Sequence, residues 1–205
     1  PVLLYFSPLV FGPDSPEAEA AVARLEERDP QGGLAIGARA NLSYLRGDRE
    51  GFLRAARRYA EVHPHGSDPV MGPAPFMLGS ALAVAGHAEE ARPHLERAAE
   101  LTAALARTRN ESPLLPLYPA VALARLGRER EAAQWLERGY ERGAFGLGMW
   151  GPLSDVLEGI PGSRDLFDRM DRDLVRLRAE ADARVAGLDP LPPPRVLGTS
   201  KVRAP

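Results

Sequence analysis

The sequence predicts an all-α fold, a helical-hairpin solenoid closed by a C-terminal capping helix. Three observations carry that prediction. Glycines recur at 47, 86 and 127, each between two runs whose apolar residues have helical spacing. The dipeptides Asp29-Pro30 and His63-Pro64 lie 34 residues apart, each just past such a run. Residues 164–185 carry apolar side chains at steps of three and four. Self-similarity of this kind marks an array in which each helical pair buries its apolar face only by stacking on the next.

The first element runs from Glu17 to Arg28. Ala18, Val22 and Leu25 share one face, and Glu17 and Glu19 stand in the first turn, where the helix dipole favours acids. The second runs from Asp48 to Val62, with Phe52, Ala55, Ala56 and Tyr59 on one face. The prolines at 30 and 64 stop these helices. Leu45-Arg46-Gly47-Asp48, Val84-Ala85-Gly86-His87 and Arg125-Leu126-Gly127-Arg128 are the expected reversals, because a glycine in the left-handed conformation closes a helix. Their spacings of 39 and 41 exceed 34, and turn-like stretches at Ser67–Met71 and Arg107–Ser112 account for the excess. The last helix, Arg164 to Val185, has a seam of Leu166, Met170, Leu174, Leu177, Ala181 and Val185. Ser163 is its expected N-cap, and Asp165/Arg169 and Asp168/Arg172 are its expected i,i+4 ion pairs. This seam reads as a lid on the last repeat, with a homodimer contact through 164–185 as the competing reading.

Composition excludes several classes. The chain has 205 residues, 44% hydrophobic and 26% charged, with a net charge of −2. That balance points to neither a nucleic acid nor an anionic membrane as partner. It contains no cysteine, so disulfides, thiol nucleophiles and thiolate metal sites are excluded. Lys201 is the only lysine, so nearly all the positive charge is arginine. Apolar runs fall well short of the ~20 residues that span a bilayer. Pro1 without a methionine is the expected start of a fragment or processed product, and Val2 to Phe11 lack the flanks of a signal peptide. Residues 187–205, with Pro192-Pro193-Pro194, read as an extended tail, solvated rather than docked.

The residues around the glycines resemble the tetratricopeptide repeat, a helix–turn–helix unit. Leu78-Gly79 matches its leucine–glycine pair, Leu82 stands for its tyrosine, and Ala91, Leu95 and Ala98 follow in phase. In the next unit Ala120, Leu123, Gly127, Ala132 and Leu136 keep that phase. In the earlier one it passes through Ala40, Gly47, Phe52, Tyr59 and Pro64, and in a degenerate first unit through Phe6, Leu9, Ala18, Val22 and Pro30. No unit has the motif's tryptophan, and Phe52 occupies a small-residue position. The resemblance implies units at about 1–32 (degenerate), 33–66, 72–105 and 113–146, then a linker and capping helix at 147–186. It implies a right-handed superhelix whose concave side is lined by the first helix of each pair. Trp135 to Arg142, Trp150 and Leu166-Phe167-Asp168-Arg169-Met170 also resemble the C-terminal repeat region of bacterial multidomain regulators, among them kinases, cyclases and transcription activators.

Motifs with chemistry are weak. Gly146-Leu147-Gly148-Met149-Trp150-Gly151 spells G-x-G-x-x-G, but it follows a helix, whereas a dinucleotide site needs it between a strand and a helix. It reads as a linker with a buried Trp150. His63, His65, His87 and His94 include no i,i+4 pair for a helix-borne zinc. The acids mostly pair with arginines on wet faces. Asn41-Leu42-Ser43 and Asn110-Glu111-Ser112 fit the N-glycosylation pattern and carry no function here. No catalytic residue, metal or cofactor is expected. The resemblance places Asn41, Tyr44, Phe76, Ser80, Leu117, Val121 and Arg125 on the concave face. They suit an apolar groove with a few polar anchors, although several are also candidates for packing against the next hairpin. The expected function is a non-catalytic, cytoplasmic scaffold that binds a protein or peptide. A small-molecule-sensing domain is the alternative.

Overall fold

The computed structural model describes residues 11–65, 67–68, 72–108, 114–144 and 155–186. Over these the fold is all-α, with eight helices. α1 is Pro16–Arg28, α2 Gly33–Leu45, α3 Arg49–Val62, α4 Ala74–Val84, α5 Ala88–Thr108, α6 Leu117–Arg125, α7 Glu129–Glu141 and α8 Ser163–Ala186. Among the described residues the one extended pairing is a two-residue antiparallel contact between β1 (Ser67–Asp68), in the stretch expected to turn, and β2 (Gly72–Pro73), which takes the first two residues of the predicted 72–105 unit.

Local chemistry sets the helix ends. α1 begins where the Ser15 hydroxyl accepts from the Ala18 amide at 3.1 Å and Pro16 presets the first turn. Ala18, Val22 and Leu25 are buried, as their spacing predicts, and Ala21 joins their stripe. Asp48 stands outside α3 as its N-cap, accepting from the Gly51 amide at 2.8 Å. Phe52, Ala55, Ala56 and Tyr59 face the core. α2, α4 and α6 are different: in α6 every residue from Leu117 to Leu123 is buried. They form the inner layer, with helices on more than one side.

The three glycine reversals share one geometry. Gly47, Gly86 and Gly127 have φ of +71°, +90° and +74°. Behind each, an amide reaches back to close the helix: Asp48 to the Ser43 carbonyl, His87 to Leu82 and Arg128 to Leu123, all at 2.9 Å. The next helix starts at residue 49, 88 or 129, so each connection spans three residues. This is the Schellman closure, and it builds the hairpins α2–α3, α4–α5 and α6–α7. Each helix from α1 to α7 packs on its successor in sequence, and α4 also packs on α6. Gly79 lets α4 lie close to α5, because a Cβ there would come within 3.0 Å of the Leu95 amide nitrogen. Ala91, Leu95 and Ala98 from α5 and Ala132 and Leu136 from α7 complete the contacts, and the buried side chains form one continuous cluster.

α5 runs to Thr108, past the predicted unit end at 105. The Arg142 guanidinium donates to the Ala106 carbonyl at 2.9 Å, satisfying an acceptor that the last turn leaves open. α8 departs from expectation in three ways. Ser163 is its first residue rather than its cap, and the Ser163 hydroxyl donates back to the Glu158 carbonyl at 3.1 Å. Arg169 does not pair with Asp165 along the helix; it reaches across to Glu137 of α7 at 2.7 Å, with its guanidinium 4.8 Å from the Tyr140 ring centre. The Tyr140 hydroxyl donates to Asp173 at 2.7 Å. Finally, only half the seam is used: Leu166 and Met170 are buried, whereas residues 175–184 are exposed, including Val175 and Leu177. The degenerate first unit's Phe6 and Leu9, the G-x-G-x-x-G stretch with Trp150, and the tail lie outside the described residues.

Candidate functional site

The seven predicted groove residues divide into three groups. Phe76, Leu117 and Val121 have no exposed surface and belong to the core. Phe76 meets the Tyr118 ring edge-on at 5.0 Å, and Leu117 packs where a Cβ on Gly139 would fall. Their register on the inner helices is the expected one, but neighbouring helices cover it. Asn41 and Ser80 are also buried, at 5% and 0% exposure. They occupy equivalent places six residues before Gly47 and Gly86. Asn41 Oδ1 and Ser80 Oγ have no hydrogen-bond partner, which costs about 1–3 kcal/mol each relative to a satisfied group. Burial of Asn41 also removes it as a glycosylation acceptor in the folded chain.

Tyr44 and Arg125 alone reach open space. They line a cleft of about 470 Å³ together with Leu45, Arg49, Val84 and Asp155. Tyr44 stands three residues before Gly47, in the last turn of α2, and its ring meets Phe52 edge-on at 5.4 Å. Arg125 ends α6, where a cation complements the helix dipole. It takes the register that Leu45 and Val84 hold in the other hairpins, two residues before the glycine. Its side chain is 9% exposed, and its Nη2 donates to Asp155 Oδ1 at 3.2 Å. Burial, and then the nearby Asp155 carboxylate, hold the Tyr44 hydroxyl well above the usual phenol range. The cleft thus offers a phenol, a guanidinium and an apolar wall of Leu45 and Val84.

Asp155 is the residue that sequence reasoning missed. The available signal was Arg125 itself: a cation in an otherwise apolar register needs an acid, but spacing could not say which one.

A second cleft, of about 420 Å³, lies among α1, α2 and α3 and is lined by Arg39, Arg46, Arg54 and Arg58 with Glu26 and Asp48. It is an ion network that ties α1 to α2. Arg39 binds Glu19 and Glu26, both at 2.7 Å, and Arg46 binds Glu19 at 2.6 Å. The Arg39 hydrogen bond, aided by Arg46 and opposed by partial burial, holds the Glu19 carboxyl below its ordinary range. Arg58 donates to the Pro30 carbonyl and His63 Nε2 lies 2.9 Å from the Gln31 carbonyl, so both groups tie α3 to the turn before α2. Among the described residues no group of three or more His, Asp or Glu side chains could hold a metal ion, and no helix is long and apolar enough to cross a membrane.

Comparison of the chain with protein-family models, with curated proteins and with solved structures finds no significant match.

Proposed function

We propose that this chain is a non-catalytic, tetratricopeptide-like scaffold of a bacterial regulatory or signalling protein, and that it takes a protein or peptide partner in the cleft at Tyr44 and Arg125. Three hairpins with the same closure, the same connection length and packing between neighbours in sequence support the repeat reading, with α2, α4 and α6 inside; the right-handed superhelix is what the resemblance implies. The observation that carries the binding reading is the convergence of Tyr44, from the first of these hairpins, and Arg125, from the third, on one open cleft. A phenol and a guanidinium beside apolar walls are the groups that anchor protein contacts most often. The cytoplasm is the compartment that goes with this reading.

The test is selection from a displayed peptide library against the whole chain. Selected peptides should lose at least ~10-fold in affinity, about 1.4 kcal/mol, on Tyr44→Ala or Arg125→Ala. Peptides that bind both variants as well as the parent place the binding surface elsewhere. The cleft volume also suits a small ligand. A metabolite thermal-shift screen separates that alternative, since a hit abolished by Tyr44→Ala favours a sensor domain.

A further inference from the structure

The cleft is closed on one side by an acid from this chain. We infer that residues 155–162 are a built-in occupant: Asp155 stands where a partner's carboxylate binds, and the partner enters by displacing it. The inference rests on the peptide-binding reading and adds the partner's chemistry. The partner is a peptide with an acidic residue followed, two and five positions later, by aliphatic residues, as Asp155 is followed by Leu157 and Ile160.

The arrangement has the form of a docked peptide. Asp155 to Gly162 belongs to none of the hairpins and is non-helical. Its side chains nevertheless alternate between anchor and solvent. Leu157 and Ile160 are 1% and 3% exposed and join the core cluster, whereas Glu158 and Gly159 between them are exposed. Asp155 stands with two groups from different hairpins: its Oδ1 lies 3.2 Å from Arg125 Nη2, and it shares the wall of the cleft with Tyr44. The Asp155 side chain is 51% exposed, so its bond to Arg125 is open to water and to competing anions. Such a pair is weak. What keeps it formed is attachment: the segment runs directly into α8 at Ser163, which gives it an effective concentration of about a millimolar at its own site. A partner must exceed that figure or bind more tightly, and the attached segment thereby sets a threshold for occupancy.

The absence of native cysteine makes the test direct. Ile160→Cys places one thiol in a buried position, which a thiol reagent reaches only when the segment lifts. A synthetic peptide of residues 155–162, supplied at roughly ten times the effective concentration (~10 mM), should leave no more than about a tenth of the chains closed and accelerate labelling several-fold. The same peptide with Asp155→Asn should accelerate it clearly less. Asp155→Asn within the chain should accelerate labelling with no peptide present. Equal effects of the two peptides, no effect of either, or a chain variant that labels at the parent rate would each overturn the inference and leave the segment a fixed cap. If Ile160→Cys lowers the helical circular dichroism, Val156→Cys, half-buried in the same segment, carries the same readout. This displacement is read without any outside partner. A library that yields no peptide dependent on Tyr44 and Arg125 therefore fails the functional reading separately.

Discussion

At the scale of single residues, two glycines with the same backbone angle separate conformational cost from contact cost. Gly47 and Gly72 both have φ of +71°, but a Cβ on Gly47 meets nothing within 4 Å, whereas one on Gly72 falls 2.5 Å from Tyr118 Cε1. The Gly72 carbonyl also accepts from the Tyr59 hydroxyl at 3.2 Å, so Gly72 lies between two rings. Gly47→Ala should cost about 1–2 kcal/mol, the left-handed penalty alone. Gly72→Ala should cost about 2–4 kcal/mol, because overpacking adds to it. Urea unfolding of the two variants checks the order, and equal losses would remove the ring contact from the account. Glu19 gives a pH prediction at the same scale. Its carboxyl is held below its ordinary value in the folded chain by Arg39 and Arg46, so the stability it contributes is present above the unfolded value and is lost as pH falls through the folded one. The carboxylate is 43% exposed, so the effect is no more than about 1 kcal/mol. Glu19→Gln should therefore narrow the gap between urea midpoints at pH 7 and pH 3.

At the scale of elements, α8 divides near residue 175. Met170 is 4% exposed beside α7, and Met170→Ala should cost about 2–4 kcal/mol. Leu177, on the same seam, is 38% exposed, and Leu177→Ala should change stability by less than about 0.5 kcal/mol. Thermal or urea unfolding distinguishes them, and a large loss at Leu177 would mean that a second copy covers the exposed half. The seam also shows why sequence reasoning went only so far. Spacing of three and four residues identified the helix and its apolar side, but it could not say where the neighbouring helix stops. The same limit applied to the groove. Phe76, Leu117 and Val121 hold the predicted register, yet a helix enclosed on several sides has no apolar stripe from which its open side can be read. Where one face is wet, as in α1 and α3, every predicted core residue is buried, and only the flanking Ala21, Gly51 and Leu53 widen the stripe beyond the prediction. The glycine reversals were legible as well, since backbone geometry there depends on one residue. Asp155 was not, because its contact with Arg125 joins residues 30 apart through a stretch without periodicity.

At the scale of the whole molecule, the buried side chains from α1 to α8 form a single cluster, and helices meet mainly their neighbours in sequence. Such an array has a mechanical consequence. No hairpin has a private core, so loosening the middle one removes the surface on which both flanking hairpins rest. Trp135 illustrates the sharing. It lies on α7, and its ring takes guanidinium contacts from Arg107 of α5 at 5.7 Å and from Arg138 of its own helix at 4.6 Å. Tyr44 of α2, Val84 of α4 and Arg125 of α6 line one cleft, so its shape draws on all three hairpins.

The most direct test of this account is native-state hydrogen exchange on Leu82→Ala, a wholly buried side chain of the central helix α4. The account predicts a loss of about 3–5 kcal/mol of protection that appears together in α2–α3, α4–α5 and α6–α7. A loss confined to α4–α5, with full protection kept on either side, would show hairpins that fold independently and would contradict the single stacked core on which the cleft depends.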